Sequence, residues 1–224
     1  MNLTANIPYR AWLLGIFLVL LPLSCINAAS NINLLLQHTP TVVVLGILIA
    51  TGIRHPLSNL SYTLLFLYLL LHLVGVRHLY SSVPYDDWTE QLFGVRVADI
   101  FGFQRNHYDR LVHLCFGLLL LGPAREVVVR LMKIRGGWSL VIAVWLLIVI
   151  GTVYELLEWV VAMVAEPDAT ERYNGQQGDM WDTHRDMALA MGGAVFSAVF
   201  LALISWLRGQ RVYRTSARTS IISN

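Results

Sequence analysis

Six stretches of mainly apolar residues, each close to the length of a membrane-spanning helix, constrain this chain more than any other feature. They cover about residues 11–29, 34–53, 57–77, 109–124, 138–164 and 186–207. About 20 such residues, rising 1.5 Å each, cross the roughly 30 Å hydrocarbon core of a bilayer. Only 13% of the 224 residues are charged, whereas soluble domains carry about 25%. We therefore predict an all-α polytopic membrane protein with about six transmembrane helices, forming a single domain over residues 1–224.

The remaining composition excludes other classes of protein. The formal net charge is only +2, and no long basic run is present, so we expect no nucleic-acid partner. Membrane lipid is the expected partner instead. Cys25 and Cys115 lie in separate apolar stretches, which favours buried thiols over a disulfide or a metal pair.

The first apolar stretch has two interpretations. Arg10 before the stretch and the small residues 28–30 after it resemble a cleaved signal peptide, and residues 21–25 resemble a lipoprotein cleavage box. Pro22 and the length of the stretch favour a retained helix. Cleavage would leave the orientation of the other five spans unchanged.

Orientation follows from the lysine and arginine residues in the short loops. With a cytoplasmic N-terminus, ten of these residues lie on the cytoplasmic side and six on the other side. We therefore predict that both termini are cytoplasmic. In this orientation 13 of the 14 acidic residues lie at the outer face or in the outer halves of helices, and only Glu126 lies near the cytoplasm.

Two acidic residues lie inside the fifth span. Glu155 and Glu158 are about 60° apart on one helix face. Each ionised carboxylate costs about 3 kcal/mol to insert, so the pair requires an Arg or His partner, a metal ion, bound water or protonation. The alternative for Glu158 is that its side chain simply reaches the headgroup layer.

A second acidic group leads into the sixth span. Asp179, Asp182 and Asp186 follow an i, i+3, i+7 spacing that aligns three carboxylates along one helix. Asp179 and Asp182 also suit the favoured position of acids at a helix N-terminus. Further along the same span, residues 192–194 (Gly-Gly-Ala) predict a close approach by a neighbouring helix.

Ionisable residues of the third and fourth spans complete a predicted polar site. Asp109, Arg110 and His113 share one helix face, and Asp109 is placed to orient His113 as a ligand. The predicted catalytic residues are Glu155, Glu158, Asp182, Asp186 and His113. The predicted metal ligands are Glu155, Glu158, Asp182 and His113. The surrounding polar residues are His72, Asp109, Arg110 and Asp179.

The longest loop mixes apolar and charged residues. Residues 88–101 have a short amphipathic pattern, typical of a lid on the membrane surface or of a segment packed between helices. Because loops 78–108 and 165–183 flank helices that carry site residues, we expect them to form one vestibule over the acidic cluster.

Three groups of residues, taken together, resemble the YjdF-type family of bacterial inner-membrane proteins over essentially the whole chain. They are residues 105–113, residues 154–159, and residues 178–187 with Asp179, Asp182 and Asp186. This resemblance implies a multi-pass protein of the bacterial inner membrane, and it implies no reaction, because the family has no assigned activity.

The last two spans also resemble the VanZ-like membrane domain. Glu158, Asp182, Asp186 and residues 192–193 occupy the places of that pattern, and Ala190 stands where the pattern has Asn. The likeness implies a role at the cell envelope.

Three functions remain open on the sequence. The first is a metal-dependent enzyme, with Zn, Mn or Fe, that acts on a lipid or lipid-linked headgroup at the outer leaflet. The second is a proton-coupled transporter, although no two-half repeat is visible. The third is a structural or assembly protein in which the acids form ion pairs with Arg110 or Arg185.

Overall fold

The computed structural model describes residues 8–28, 30–164 and 175–222, without the side chains of residues 209–222. All regular elements within these ranges are helices. They are α1 (Tyr9–Cys25), α2 (Asn31–Arg54), α3 (Asn59–Arg77), α4 (Tyr85–Phe93), α5 (Val97–Phe101), α6 (Tyr108–Leu131), α7 (Gly137–Val164) and α8 (Asp182–Ile222).

The predicted membrane architecture is confirmed. Among the described residues, α2, α3, α6, α7 and the part of α8 over Asp182–Arg208 are long and apolar enough to cross a membrane, and α1 is a shorter apolar helix of 17 residues. Their outward faces carry large apolar side chains such as Val42, Ile53, Trp145 and Phe196, which suits contact with lipid.

The fourth predicted span is longer than the sequence indicated, because α6 continues to Leu131. The apolar stretch ends where Arg125, Glu126 and Arg130 begin, but each of these charges has a partner. Glu126 accepts hydrogen bonds from the backbone N–H of Ser58 at 2.8 Å and from the Ser61 hydroxyl at 2.5 Å. The helix therefore extends through charged residues that also tie it to the start of α3.

Helix α6 is central, and it packs against α3, α7 and α8. Its closest approach is to α8, where Gly117 faces Gly193. A Cβ added at Gly193 would lie 3.0 Å from the Leu118 backbone nitrogen and 3.3 Å from the Gly117 Cα atom. The predicted close approach of the sixth span is thus confirmed at Gly193, whereas a Cβ at Gly192 would meet nothing within 4 Å.

The long helices α3, α6, α7 and α8 alternate in direction, so the ends that carry their ionisable residues lie on one side of the protein. We call the end at which α3 and α7 finish and α6 and α8 begin the site end. The short helices α4 and α5 lie in the connection between α3 and α6, and they have no buried residue. Their exposed apolar side chains include Leu92, Phe93, Ile100 and Phe101, which is the amphipathic character that the sequence predicted.

Candidate functional site

All the predicted site residues lie near the site end, because α3, α6, α7 and α8 pack side by side there. Asp109 and His113 lie in the first turns of α6, and Asp186 lies in the first turns of α8. Glu155 and Glu158 lie in the last turns of α7, and His72 lies near the end of α3. The arrangement divides these residues into two groups with different partners.

The first group consists of ion pairs. The Arg105 Nη2 atom lies 2.9 Å from Asp182 Oδ1, and Arg110 Nη2 lies 2.6 Å from Asp179 Oδ2 and 3.3 Å from Asp182 Oδ1. Arg185 also contacts Asp179. Asp182 is only 3% exposed, so this carboxylate is neutralised inside the protein by two guanidinium groups. Arg105 was not among the predicted site residues, although it lies in the segment that carried the family resemblance.

Asp179 lies before α8 and outside the spanning segments. Desolvation disfavours its ionised form, but the Trp181 backbone N–H and the guanidinium groups of Arg185, Arg110 and Arg105 outweigh that effect. Together they lower the pKa of Asp179 below its ordinary value. The carboxylate is therefore ionised at neutral pH and serves as the counterion of these arginines.

Arg105 also joins the two loops at the site end. Arg105 donates hydrogen bonds to the carbonyl oxygens of Gly175 and Gln176, and the Asn106 backbone N–H donates to the Gln177 side chain at 3.0 Å. The described part of the second loop therefore packs on the first. The rest of the predicted vestibule, residues 165–174, lies outside the described residues.

The second group could hold a metal ion. Asp109, His113 and Asp186 each offer one ligand atom, and these three atoms lie within 4.8 Å of one another. His113 Nε2 lies 3.6 Å from Asp109 Oδ1 and 3.6 Å from Glu155 Oε1, beyond ordinary hydrogen-bond length. Two ligands of one tetrahedral zinc ion are separated by about 3.4 Å, close to these distances. Two carboxylates and one imidazole suit Zn, Mn or Fe.

Two carboxylates of this group have unsatisfied oxygens. Glu155 and Asp186 are 4% and 3% exposed. Among the described residues, Glu155 Oε1 and Asp186 Oδ1 are buried atoms with no hydrogen-bond partner. A buried carboxylate oxygen without a partner is costly, so this group requires a cation or a proton. Among the described residues, Arg105 and Arg110 form their ion pairs with Asp179 and Asp182 instead.

A cavity of about 80 Å³ adjoins the candidate metal ligands. Asp109, His113 and Glu158 line it together with aromatic side chains. The predicted metal ligands Glu158 and Asp182 are thus placed differently: Glu158 lies in the wall of the cavity, and Asp182 lies against the arginines. Asp109, which the sequence assigned to the surrounding polar residues, stands among the candidate ligands instead.

Tyr80 is a member of the site that the sequence did not indicate. Leu79 and Tyr80 have positive φ values of 57° and 51°, which turn the chain back onto α3. The ring then packs over Gly75, where an added Cβ would lie 2.5 Å from Tyr80 Cε1. Burial, with the nearby Asp109 and Glu158, raises the pKa of Tyr80 well above its ordinary value, so the phenol stays protonated.

His72 holds the Tyr80 hydroxyl group in place. The two atoms Tyr80 Oη and His72 Nδ1 are 2.5 Å apart, and His72 Nε2 is 2.6 Å from Thr41 Oγ1. His72 therefore contacts the cavity through Tyr80 rather than joining the candidate metal ligands. The sequence placed His72 near the site but did not indicate either hydrogen-bond partner.

Comparison with known proteins agrees with the membrane location and with the family that the sequence resembles. The family described as "Predicted membrane protein (DUF2238)" matches residues 9–206. The inner membrane protein YjdF of Escherichia coli (strain K12) is 37% identical over 178 residues, which cover 79% of this chain and 81% of that protein. No solved structure matches the chain. The chain belongs to the DUF2238 family, and it is a multi-pass protein of the inner-membrane type.

Proposed function

We propose that this member of the DUF2238 family is a metal-dependent enzyme that acts on a lipid or lipid-linked headgroup. One observation carries the proposal: Asp109 and His113 belong to the candidate metal-binding group and also line the cavity beside it. A metal ion enclosed by protein ligands would be structural, whereas catalysis requires an open coordination position. The cavity would leave such a position open to a substrate or a water molecule.

The proposed chemistry divides among the residues by their surroundings. Asp109, His113 and Asp186 would hold the ion, and Glu155 lies next to His113 as a further carboxylate. A divalent metal in such a site activates a water molecule or polarises a phosphoryl oxygen. Glu158, which also lines the cavity, would hydrogen-bond a substrate or accept a proton from it.

The ion pairs of Arg105 and Arg110 favour a structural function for these residues. Arg105 and Arg110 connect the start of α6 to Asp182 at the start of α8. This arrangement corresponds to the assembly alternative, and we propose that it holds the catalytic helices in position rather than taking part in the reaction.

Metal content tests the proposed function directly. We expect protein purified in mild detergent and incubated with Zn, Mn or Fe to retain about one ion per chain, as a complete ligand set does. Asp186→Asn and His113→Gln should lose the ion, because each removes a ligand, and Glu90→Gln, which changes an exposed acid of α4, should retain it. The measurement is elemental analysis after gel filtration.

The stability of the metal-free protein completes this test. Asp186→Asn should unfold at the same temperature as the metal-free wild type, or at a higher one, because it removes a carboxylate with an unsatisfied buried oxygen. A folded wild type that neither retains an ion nor gains thermal stability from any of the three metals would refute the proposal.

We further propose that both termini are cytoplasmic and that the site end faces the outer leaflet. Ten lysine and arginine residues on the N-terminal side, against six on the other, support this orientation. A fluorescent protein fused to the C-terminus should therefore fluoresce, and a periplasmic phosphatase fused at the same position should be inactive. Active phosphatase would reverse the orientation and place the site at the inner leaflet.

A further inference from the structure

The cavity beside the candidate metal ligands is lined in part by four aromatic side chains. Tyr68, Tyr80, Phe116 and Tyr154 line it. The Tyr68 and Phe116 rings meet edge to face, with their centroids 5.7 Å apart. The faces of such rings attract cations, and the attraction is strongest where water is excluded.

The hydroxyl oxygen of Tyr80, which lines the cavity, is oriented as a hydrogen-bond acceptor. Thr41 Oγ1 donates to the Gln37 carbonyl oxygen at 3.3 Å, so it accepts from His72 Nε2–H. His72 Nδ1 is then the unprotonated nitrogen, and it accepts the hydroxyl proton of Tyr80. Because its proton is used in this way, the Tyr80 oxygen can only accept a hydrogen bond from a ligand.

Two carboxylates add to this acceptor character. Asp109 and Glu158 line the same cavity, and no lysine or arginine lies among its described lining residues. A phosphate or carboxylate group would therefore find no cationic side chain to pair with in this cavity. A cation that carries hydrogen-bond donors meets the aromatic faces and the acceptors at once.

We propose that this cavity binds the primary ammonium group of an amine-bearing headgroup. A primary ammonium has three N–H donors, which match the acceptors offered by Tyr80, Asp109 and Glu158. A volume of about 80 Å³ accommodates a group of only a few heavy atoms. The aminoethyl group of ethanolamine has this size and chemistry.

This inference rests on the proposed function for its catalytic meaning, whereas the binding of an amine rests on the walls of the cavity. Asp109 and His113 border both the cavity and the candidate metal group. A headgroup with two carbons between its ammonium and its phosphate would place the phosphate next to the metal ligands while its amine occupies the cavity. The cavity would thereby select amine-bearing headgroups as substrates.

Ligand selectivity of the unaltered protein is the first test. Calorimetric titration of the detergent-purified wild type with ethanolamine should show saturable binding. Choline, which has a quaternary nitrogen without N–H donors, should bind at least about tenfold more weakly, as expected when charge-assisted hydrogen bonds are lost. Equal affinities for the two amines, or no binding of ethanolamine to folded protein, would refute the inference.

Variants identify the site, and lipids identify the source of the amine. Glu158→Gln and Tyr68→Leu should each weaken ethanolamine binding by about tenfold, whereas Glu90→Gln should not change it. Protein in nanodiscs of mixed phosphatidylethanolamine and phosphatidylglycerol should enrich the first lipid if the headgroup is the ligand. Binding of free ethanolamine without enrichment would assign the site to a soluble amine.

The outcomes separate the two proposals. Asp186→Asn, which should lose the metal, should still bind ethanolamine, because Asp186 does not line the cavity. Ethanolamine binding by a protein that takes up no metal would refute the proposed function and support the amine site. Metal binding without ethanolamine binding would refute the amine site alone.

Discussion

Gly193→Val is expected to destabilise the protein strongly, whereas Gly192→Val, one residue earlier, is expected to be tolerated. A side chain at Gly193 would collide with the backbone of α6, including the Leu114 carbonyl oxygen and the Leu118 nitrogen. Backbone atoms cannot move aside as a flexible side chain can, so α6 and α8 would have to separate. We expect a loss of about 3 kcal/mol in the free energy of unfolding.

The neighbouring glycine is the matched control. Nothing lies within 4 Å of a Cβ at Gly192, although it belongs to the same helix and the same Gly-Gly pair. The measurement is the amount of folded protein and its unfolding temperature in detergent. Equal stability of the two variants would show that the close contact between α6 and α8 does not exist in solution.

The helical fold could be predicted from the sequence because its determinants are local. Apolar stretches of spanning length and the turn residues between them identify a membrane helix without reference to its neighbours. The two residues of the Gly-Gly pair could not be distinguished in this way. Only the rotation of α8 against α6 determines that Gly193, and not Gly192, meets the other helix.

The C-terminal end of α6 could not be predicted from the sequence either. Charged residues usually mark the end of a span, so the sequence favoured an end near residue 124. The helix continues because Glu126 binds Ser58 and Ser61 at the start of α3, 65 or more residues away in sequence. A partner so distant leaves no pattern in the local sequence.

The candidate site was predicted as one polar cluster, and the two groups within it could not be separated. Helical spacing aligned Asp182 with Asp186 and Glu155 with Glu158, since that depends only on residues in the same helix. The distinction between Asp182 and Asp186 depends on Arg105, which reaches α8 from the turn before α6. Which acid an arginine contacts is decided by packing between helices.

The last prediction distinguishes these two aspartates. Asp182→Asn is expected to destabilise the protein by up to about 3 kcal/mol, because it leaves Asp179 as the one carboxylate still paired with Arg105 and Arg110 among the described residues. Asp186→Asn is expected to preserve stability, because no arginine is paired with it among the ion pairs of the described residues. The measurement is thermal unfolding of both variants in the metal-free state.

A double-mutant cycle then tests whether the loss arises from the ion pair. Arg110→Gln should also destabilise the protein, and the double variant Asp182→Asn with Arg110→Gln should lose less than the sum of the single losses, because the two side chains share one interaction. If Asp182→Asn instead keeps full stability and loses the metal, Asp182 is a metal ligand, as the sequence predicted. In that case the arginines would position a ligand of the metal centre rather than stabilise the contact between α6 and α8.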